Sequence, residues 1–294
     1  MAAAASGRLE LNPTRRPPTR RALLLAGVVA GWTGRAQAAS ADLRLDGRYQ
    51  QGGFALGRTR PRALVLLDGQ LVGAASSQGL FAAGFDRDSA PSVLVEALWP
   101  GGGARQALNI APGQFDIQRI DGLPEDQVAP ADPALLARIA AEARRKAIGF
   151  SSDIDDDAFR DGFVLPVEGA RLSARFGGQR ILNGQPNRPH YGSDLAAPIG
   201  TPVCAPAPGR VSFAETGLHF EGALILIDHG QGLISAYLHL SQVGVAAGQR
   251  VARGQVIGAV GMEGRATGPH LCWRMKWRGR NLDPMLMVGA RAPA

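Results

Sequence analysis

Gly268-Pro269-His270-Leu271-Cys272-Trp273-Arg274-Met275-Lys276-Trp277 reads as a strand, because large apolar residues recur at every second position and strand side chains alternate between two faces. Leu271, Trp273, Met275 and Trp277 fall on one face, His270, Cys272, Arg274 and Lys276 on the other. The first face is core. The second offers an imidazole and a thiol two residues apart, so that one can ligate a metal while its neighbour touches a bound water.

Two other stretches supply groups of the same kind. His190-Tyr191-Gly192-Ser193-Asp194 sets a histidine and a carboxylate four positions apart, and the period of two predicts both on one strand face. Tyr237-Leu238-His239-Leu240 adds a further imidazole. A nitrogen, an oxygen and a sulfur ligand with one position left to water is a catalytic zinc pattern, since structural sites close all four positions with protein.

The order His-x-x-x-Asp, Tyr-x-His-Leu, Gly-Pro-His-Leu resembles the lysostaphin-type (LytM-like) zinc metallopeptidases, which cleave peptide bonds in bacterial peptidoglycan. The resemblance runs from about Phe163 to about Val288 and takes in Arg175-Phe176-Gly177, Gly200-Thr201-Pro202-Val203, Ile227-Asp228-His229-Gly230 and the glycine-punctuated run Gly248 to Gly258. It implies Zn2+ as cofactor, with His190 and Asp194 as ligands and with His239 and His270 flanking the water that attacks the substrate. The chain departs from the family at Cys272, where the family carries a ligating histidine.

Cys272 is read as the third ligand, a thiolate, which adds negative charge and leaves the zinc a poorer Lewis acid. The alternatives are a disulfide to Cys204, the only other cysteine, or a metal-free site. Export to an oxidising compartment favours a disulfide, but pairing needs Cα atoms within about 7 Å. His219 and His229 match no ligand position and are read as structural.

The remainder of the 294 residues, 45% apolar, is long enough for two compact domains. Residues 1–38 resemble a signal peptide: six arginines, the short apolar run Ala22 to Trp32, and Ala36-Gln37-Ala38 as a cleavage site. Arg20-Arg21 fits either a twin-arginine signal or an ordinary secretory one. Removing this segment lowers Lys+Arg from 32 to 26 and Asp+Glu from 25 to 24, so the net charge falls from +7 to +2. Nucleic acid is therefore not an expected partner.

Residues 42–123 alternate short apolar runs with turns. Ala63 to Leu67 and Leu71-Val72 across Asp68-Gly69 read as one hairpin, and Ser92 to Leu98 and Gln106 to Ile110 across Gly101-Gly102-Gly103 as another. This predicts a β-sandwich-like domain without histidine or cysteine, whose role is binding, spacing or shielding of the groove. Asp132-Pro133 opens a helical linker, 132–149, closed by Gly149 and carrying an apolar stripe of Leu135, Leu136, Ile139, Ala140, Ala143 and Ala147. The acidic run Asp153, Asp155, Asp156, Asp157 lacks calcium-loop spacing and reads as a solvated boundary.

The fold expected is thus all-β and mostly antiparallel, with a sandwich-like N-terminal domain (42–123), a helical linker (132–149) and a lysostaphin-type β-domain (160–290). The function implied by the resemblance is an exported zinc metallo-endopeptidase acting on peptidoglycan stems or cross-links, periplasmic or extracellular, with no transmembrane segment after signal cleavage. The alternative is a degenerate domain of the same fold that binds or regulates other cell-wall hydrolases. Amino-terminal sequencing of the exported protein should begin at Ala39. Recovery of Met1 or its neighbours would make the segment an uncleaved anchor.

Overall fold

Alternation along the C-terminal stretch is realised as the strand His270–Trp277, in which Leu271, Trp273, Met275 and Trp277 are all buried. This is a computed structural model that describes residues 42–294. The signal segment expected at 1–38 lies outside the described residues.

His270–Trp277 lies inside an eight-stranded sheet whose order is Arg250–Val251, Gly209–Leu218, Gly222–Asp228, Leu233–Leu238, His270–Trp277, Ser193–Ala196, Arg171–Ala174, with Arg280–Leu282 also paired to His270–Trp277. Every pairing in this sheet is antiparallel. One face of the sheet carries Ile225, Ile227, Tyr237, Leu271 and Trp273 into the main core. The opposite face carries a smaller cluster of Leu224, Leu226, Ile234, Ala236, Leu238 and Cys272, partly covered by Phe150. A three-stranded sheet of Pro202–Cys204, Val256–Val260 and Leu240–Val243 stands beside it.

Two further sheets form the sandwich-like segment: Arg44–Arg48, Phe54–Arg58 and Leu80–Gly84 in one, and Gln70–Ala74, Leu64–Leu67, Ser92–Trp99 and Gly102–Asn109 in the other. Asp68 and Gly69 both take positive φ, 50° and 73°, as a two-residue hairpin turn requires. In the second hairpin Gly102 and Gly103 pair with Trp99 and Leu98, so the turn falls on Pro100-Gly101 and not across the three glycines. The apolar cluster is continuous from Leu43 to Met287, and a Cβ placed on Gly84 would lie 2.8 Å from Leu282 and 3.1 Å from Trp277.

Asp132 caps the helix Pro133–Phe150 by accepting from the Ala134 and Leu135 amides. Gly149 does not close it. Gly149 is buried where a Cβ would lie 2.7 Å from Phe213 and 2.9 Å from Leu226, so its missing side chain lets the helix lie on the sheet. The expected apolar stripe is mostly uncovered: Leu135 and Ile139 are half-buried, whereas Leu136, Ala140, Ala143 and Ala147 are exposed. No helix of the described residues is long and apolar enough to cross a membrane.

The acidic run is partly exposed, as expected, but it is not without partners. Asp153 pairs with Arg278 at 2.8 Å, Asp155 with Arg62 at 2.6 Å and Asp156 with Arg250 at 3.0 Å, while Asp157 accepts from the Ser76 hydroxyl at 2.9 Å. Its partners come from both the sandwich-like segment and the C-terminal sheet, and their distance in sequence hid them from local reading.

His229 is buried. Its Nδ1–H donates to the Pro208 carbonyl at 2.6 Å, and Nε2 accepts from Ser235 at 2.7 Å. Burial, only partly offset by the Pro208 bond, brings its pKa from 6.5 down to about 4. A folded-state pKa below the unfolded one means that the unfolded chain binds more protons between these values, so stability falls as pH drops from 6.5 through 4. The loss attributable to His229 is on the order of 3 kcal/mol once both states are protonated. Unfolding free energy measured against pH should carry this slope in the wild type and lose part of it in His229→Gln.

Candidate metal centre

The register of two antiparallel strands assembles the centre. Ser193–Ala196 pairs with His270–Trp277 so that Asp194 stands opposite Cys272 and Leu195 opposite Leu271. Cys272 also faces Leu238 across the other strand edge, and His239 follows directly, with φ at 65°. That left-handed conformation is uncommon outside glycine and turns the imidazole out of the strand.

His190 does not share a strand with Asp194, contrary to the period-two reading, because the strand begins only at Ser193. Its backbone is pinned instead to the Gly177-Gly178 turn: Gly177 N–H donates to the His190 carbonyl at 2.7 Å, and His190 N–H donates to the Gly178 carbonyl at 2.8 Å. Gly192 lies between the two residues. A Cβ there would sit 2.9 Å from Cys272 Sγ and 2.7 Å from Arg274, so the turn tolerates no larger residue without moving the thiol.

The donor atoms of His190, Asp194 and Cys272 lie within 4.8 Å of one another, and all three residues are buried. His190 Nε2 is 3.1 Å from Asp194 Oδ1 and 3.3 Å from Cys272 Sγ. Ligands on legs of about 2.0–2.3 Å at tetrahedral angles stand roughly 3.3–3.6 Å apart, so these separations suit one small divalent cation. Asp194 Oδ1 is buried with only the His190 and His270 rings beside it, a costly place for a carboxylate oxygen that a cation relieves. Both cysteines are free, and Cys204 stands in the other sheet.

His239 and His270 come together beside this group, ring centroids 4.9 Å apart, with His270 Nε2 3.7 Å from Asp194 Oδ1. Each is oriented through Nδ1: His239 donates to the Glu263 carbonyl at 2.7 Å and His270 to the Gly268 carbonyl at 2.8 Å. A carbonyl only accepts, so each Nδ1 carries a proton, and in a neutral ring the Nε2 lone pair is the one left beside the donor cluster.

Burial pushes the His190 pKa down to about 4, against the pull of Asp194, and that of His239 down to about 3. Both rings are neutral near pH 7. Burial pushes Asp194 up, but His190, His270 and Arg180 outweigh it and hold the carboxyl below the usual range. Burial and the Asp194 charge raise the Cys272 thiol to about 12, opposed by Arg274 and Arg180. Arg180 lies 3.7 Å from Asp194 Oδ2, and Arg274 Nε donates toward Cys272 Sγ at 3.5 Å. These arginines went unassigned in the sequence. Arg274 had a signal, its place on the Cys272 face, whereas Arg180 had none.

The sandwich-like segment reaches this centre. Its last strand, Ile117–Ile120, pairs in parallel with Gln179–Leu182, and Ile120 and Leu123 wall a cavity of about 50 Å³ shared with Arg180, Asp194, Arg265 and His270.

Comparison with known proteins agrees with this geometry. The signature of peptidase family M23 matches residues 188–284. Peptidoglycan DD-endopeptidase ShyA of Vibrio cholerae is 42% identical over 137 residues, which are 45% of this chain and 31% of that protein. Peptidoglycan DD-endopeptidase ShyC of the same organism is 37% identical over 159 residues, 50% of this chain and 36% of that protein. The matches thus span about a third of the length of these curated relatives. A crystal structure from Pseudomonas aeruginosa described as a peptidase M23 aligns with a TM-score of 0.63 at 29% identity, covering 82% of this chain and 96% of its own. The sequence signature, the relatives and the shared fold together place a peptidase family M23 domain at residues 188–284 of this chain.

Proposed function

We propose that the protein is an exported zinc metallo-endopeptidase that hydrolyses peptide bonds in peptidoglycan stems or cross-links. The observation that carries this reading is the convergence of His190 Nε2, Asp194 Oδ1 and Cys272 Sγ beside two imidazoles, each oriented by an Nδ1–H bond to a backbone carbonyl. The relatives named as peptidoglycan DD-endopeptidases support the substrate. We take residues 1–38 as the export signal, 42–123 as a shielding domain, 132–149 as a linking helix and 160–290 as the catalytic domain.

His190, Asp194 and Cys272 would hold the zinc, which when bound supplies a Lewis acid for the scissile carbonyl and for water. His239 and His270 do the rest with their own atoms. One Nε2 takes a proton from the attacking water, and an imidazolium so formed returns it to the leaving amine or supports the developing oxyanion. Fixing Nδ1 on a backbone carbonyl keeps each ring in the tautomer that can accept. Arg180 and Arg274 balance the charge of Asp194 and of a Cys272 thiolate, which favours retention of an anionic ligand set in a buried place. Ile120 and Leu123 close one side and limit water.

Zinc content and hydrolysis of purified peptidoglycan test the two roles separately. Cys272→Ser and His190→Ala should lose metal and activity, while Cys204→Ser keeps both. His239→Ala and His270→Ala should retain about one zinc per chain yet lose roughly 10²–10⁴-fold in rate. Equal zinc loss in all of these variants would overturn the division into ligands and proton carriers. A zinc-free wild type with a Cys204–Cys272 disulfide would favour a non-enzymatic domain.

A further inference from the structure

The face of His270–Trp277 that carries His270 and Cys272 continues to Arg274 and Lys276, and the proposed chemistry gives Lys276 nothing to do. At about 3.3 Å per residue, Arg274 stands about 7 Å and Lys276 about 13 Å along the strand from Cys272. Across one strand edge their neighbours are Ala236 and Ile234, and across the other Lys276 faces the uncharged Asn281, so the floor beside them carries no acid. The end of the helix Pro133–Phe150 forms the facing wall. Between them lies a cavity of about 650 Å³, bordered by Phe150, Arg188, Glu221, Arg274 and Lys276.

The acids on this cavity are already engaged. Glu221 receives Lys146 at 2.6 Å and Asp153 receives Arg278 at 2.8 Å. Two cations are left over and a third, Arg274, is shared with the metal centre. Lys276 sits 4.6 Å over the Phe150 ring, the Arg188 guanidinium has no ion pair among the described residues, and Arg274 donates toward the Cys272 sulfur while facing the groove. Burial, with repulsion from Arg274 and Arg188 and against the pull of Asp86, lowers the Lys276 pKa below its ordinary value. Crowded cations on a half-buried floor are stabilised by an anion that enters among them.

We propose that this groove is a carboxylate-binding subsite of the peptidase, in which Arg274, Lys276 and Arg188 hold acidic groups of the substrate peptide two to four residues from the bond that is cut. The inference rests on the peptidase reading above. The occupant is a peptide and not another polyanion because the floor is one strand face continuous with the metal centre, and an extended substrate of 3.3–3.6 Å per residue matches its spacing in step. The chain thereby selects stems whose carboxylates are free over stems in which they are amidated.

The test uses the signal-free full chain, with Arg274 left intact because it touches Cys272. Fluorescence anisotropy would read the binding of an uncross-linked stem peptide with free carboxylates, and of the same peptide amidated, to the wild type and to Lys276→Gln/Arg188→Gln. The wild type should bind the free form at least about tenfold more tightly. The double variant should lose that preference while keeping its zinc and its melting temperature. Equal affinity of the wild type for both peptides, a preference that survives in the double variant, or displacement of the peptide by inorganic polyphosphate at lower concentration than by the free peptide itself would overturn the subsite. Cleavage of cross-linked peptidoglycan is scored separately: preference without cleavage removes the hydrolase and leaves the subsite, and cleavage without preference does the reverse.

Discussion

The antiparallel register between Ser193–Ala196 and His270–Trp277 is the constraint on which the centre depends, because it alone sets Asp194 opposite Cys272. A slip of one residue would turn every side chain of the strand to the wrong face. Leu271, Trp273, Met275 and Trp277 would leave the core, at about 1.5–3 kcal/mol each, whereas the polar contacts of the centre are each worth about 1 kcal/mol. The core therefore decides the register, and the ligand geometry follows from it. The same logic fixes His239, which is carried by a strand whose Tyr237 is buried on the core face.

Gathering acceptor atoms in a dry place has an electrostatic cost, and the arrangement of arginines answers it. A buried carboxylate loses several kcal/mol of hydration, and a thiolate beside it would lose more. Arg180 approaches Asp194 and Arg274 approaches Cys272, so positive charge is drawn toward the centre from two strands. The same choice of residues extends the positive face outward to Lys276, which has no ion pair among the described residues. On the proposed reading, catalytic and recognition surfaces are one strand face read at successive pairs of residues.

The N-terminal segment and the C-terminal sheet are joined by more than a linker. The apolar cluster runs through both, and the aspartates from 153 to 157 reach Arg62 and Ser76 on one side and Arg250 and Arg278 on the other. Exposed pairs of this kind are individually worth little, so the shared core carries the association and the ion pairs define its orientation. One result is functional. Ile117–Ile120 is held in place as a neighbour of Gln179–Leu182, and this sets Ile120 and Leu123 over the cavity that holds Asp194 and His270.

Local pattern alone determined a good deal: the strand at His270–Trp277, the Asp68-Gly69 hairpin and the Asp132 cap, because strand alternation, turn chemistry and capping act within a few residues. It misplaced His190 on a strand, ended the helix at Gly149 and left the acidic run without partners. Those outcomes turn on partners far away in sequence: the Gly177-Gly178 turn for His190, Phe213 and Leu226 for Gly149, and four separated groups for the aspartates. The need for Gly192, the approach of Arg180 and the wall of Ile120 and Leu123 were likewise decided only by the tertiary structure, since close packing and charge compensation depend on which segments meet in space and no spacing along the chain encodes that.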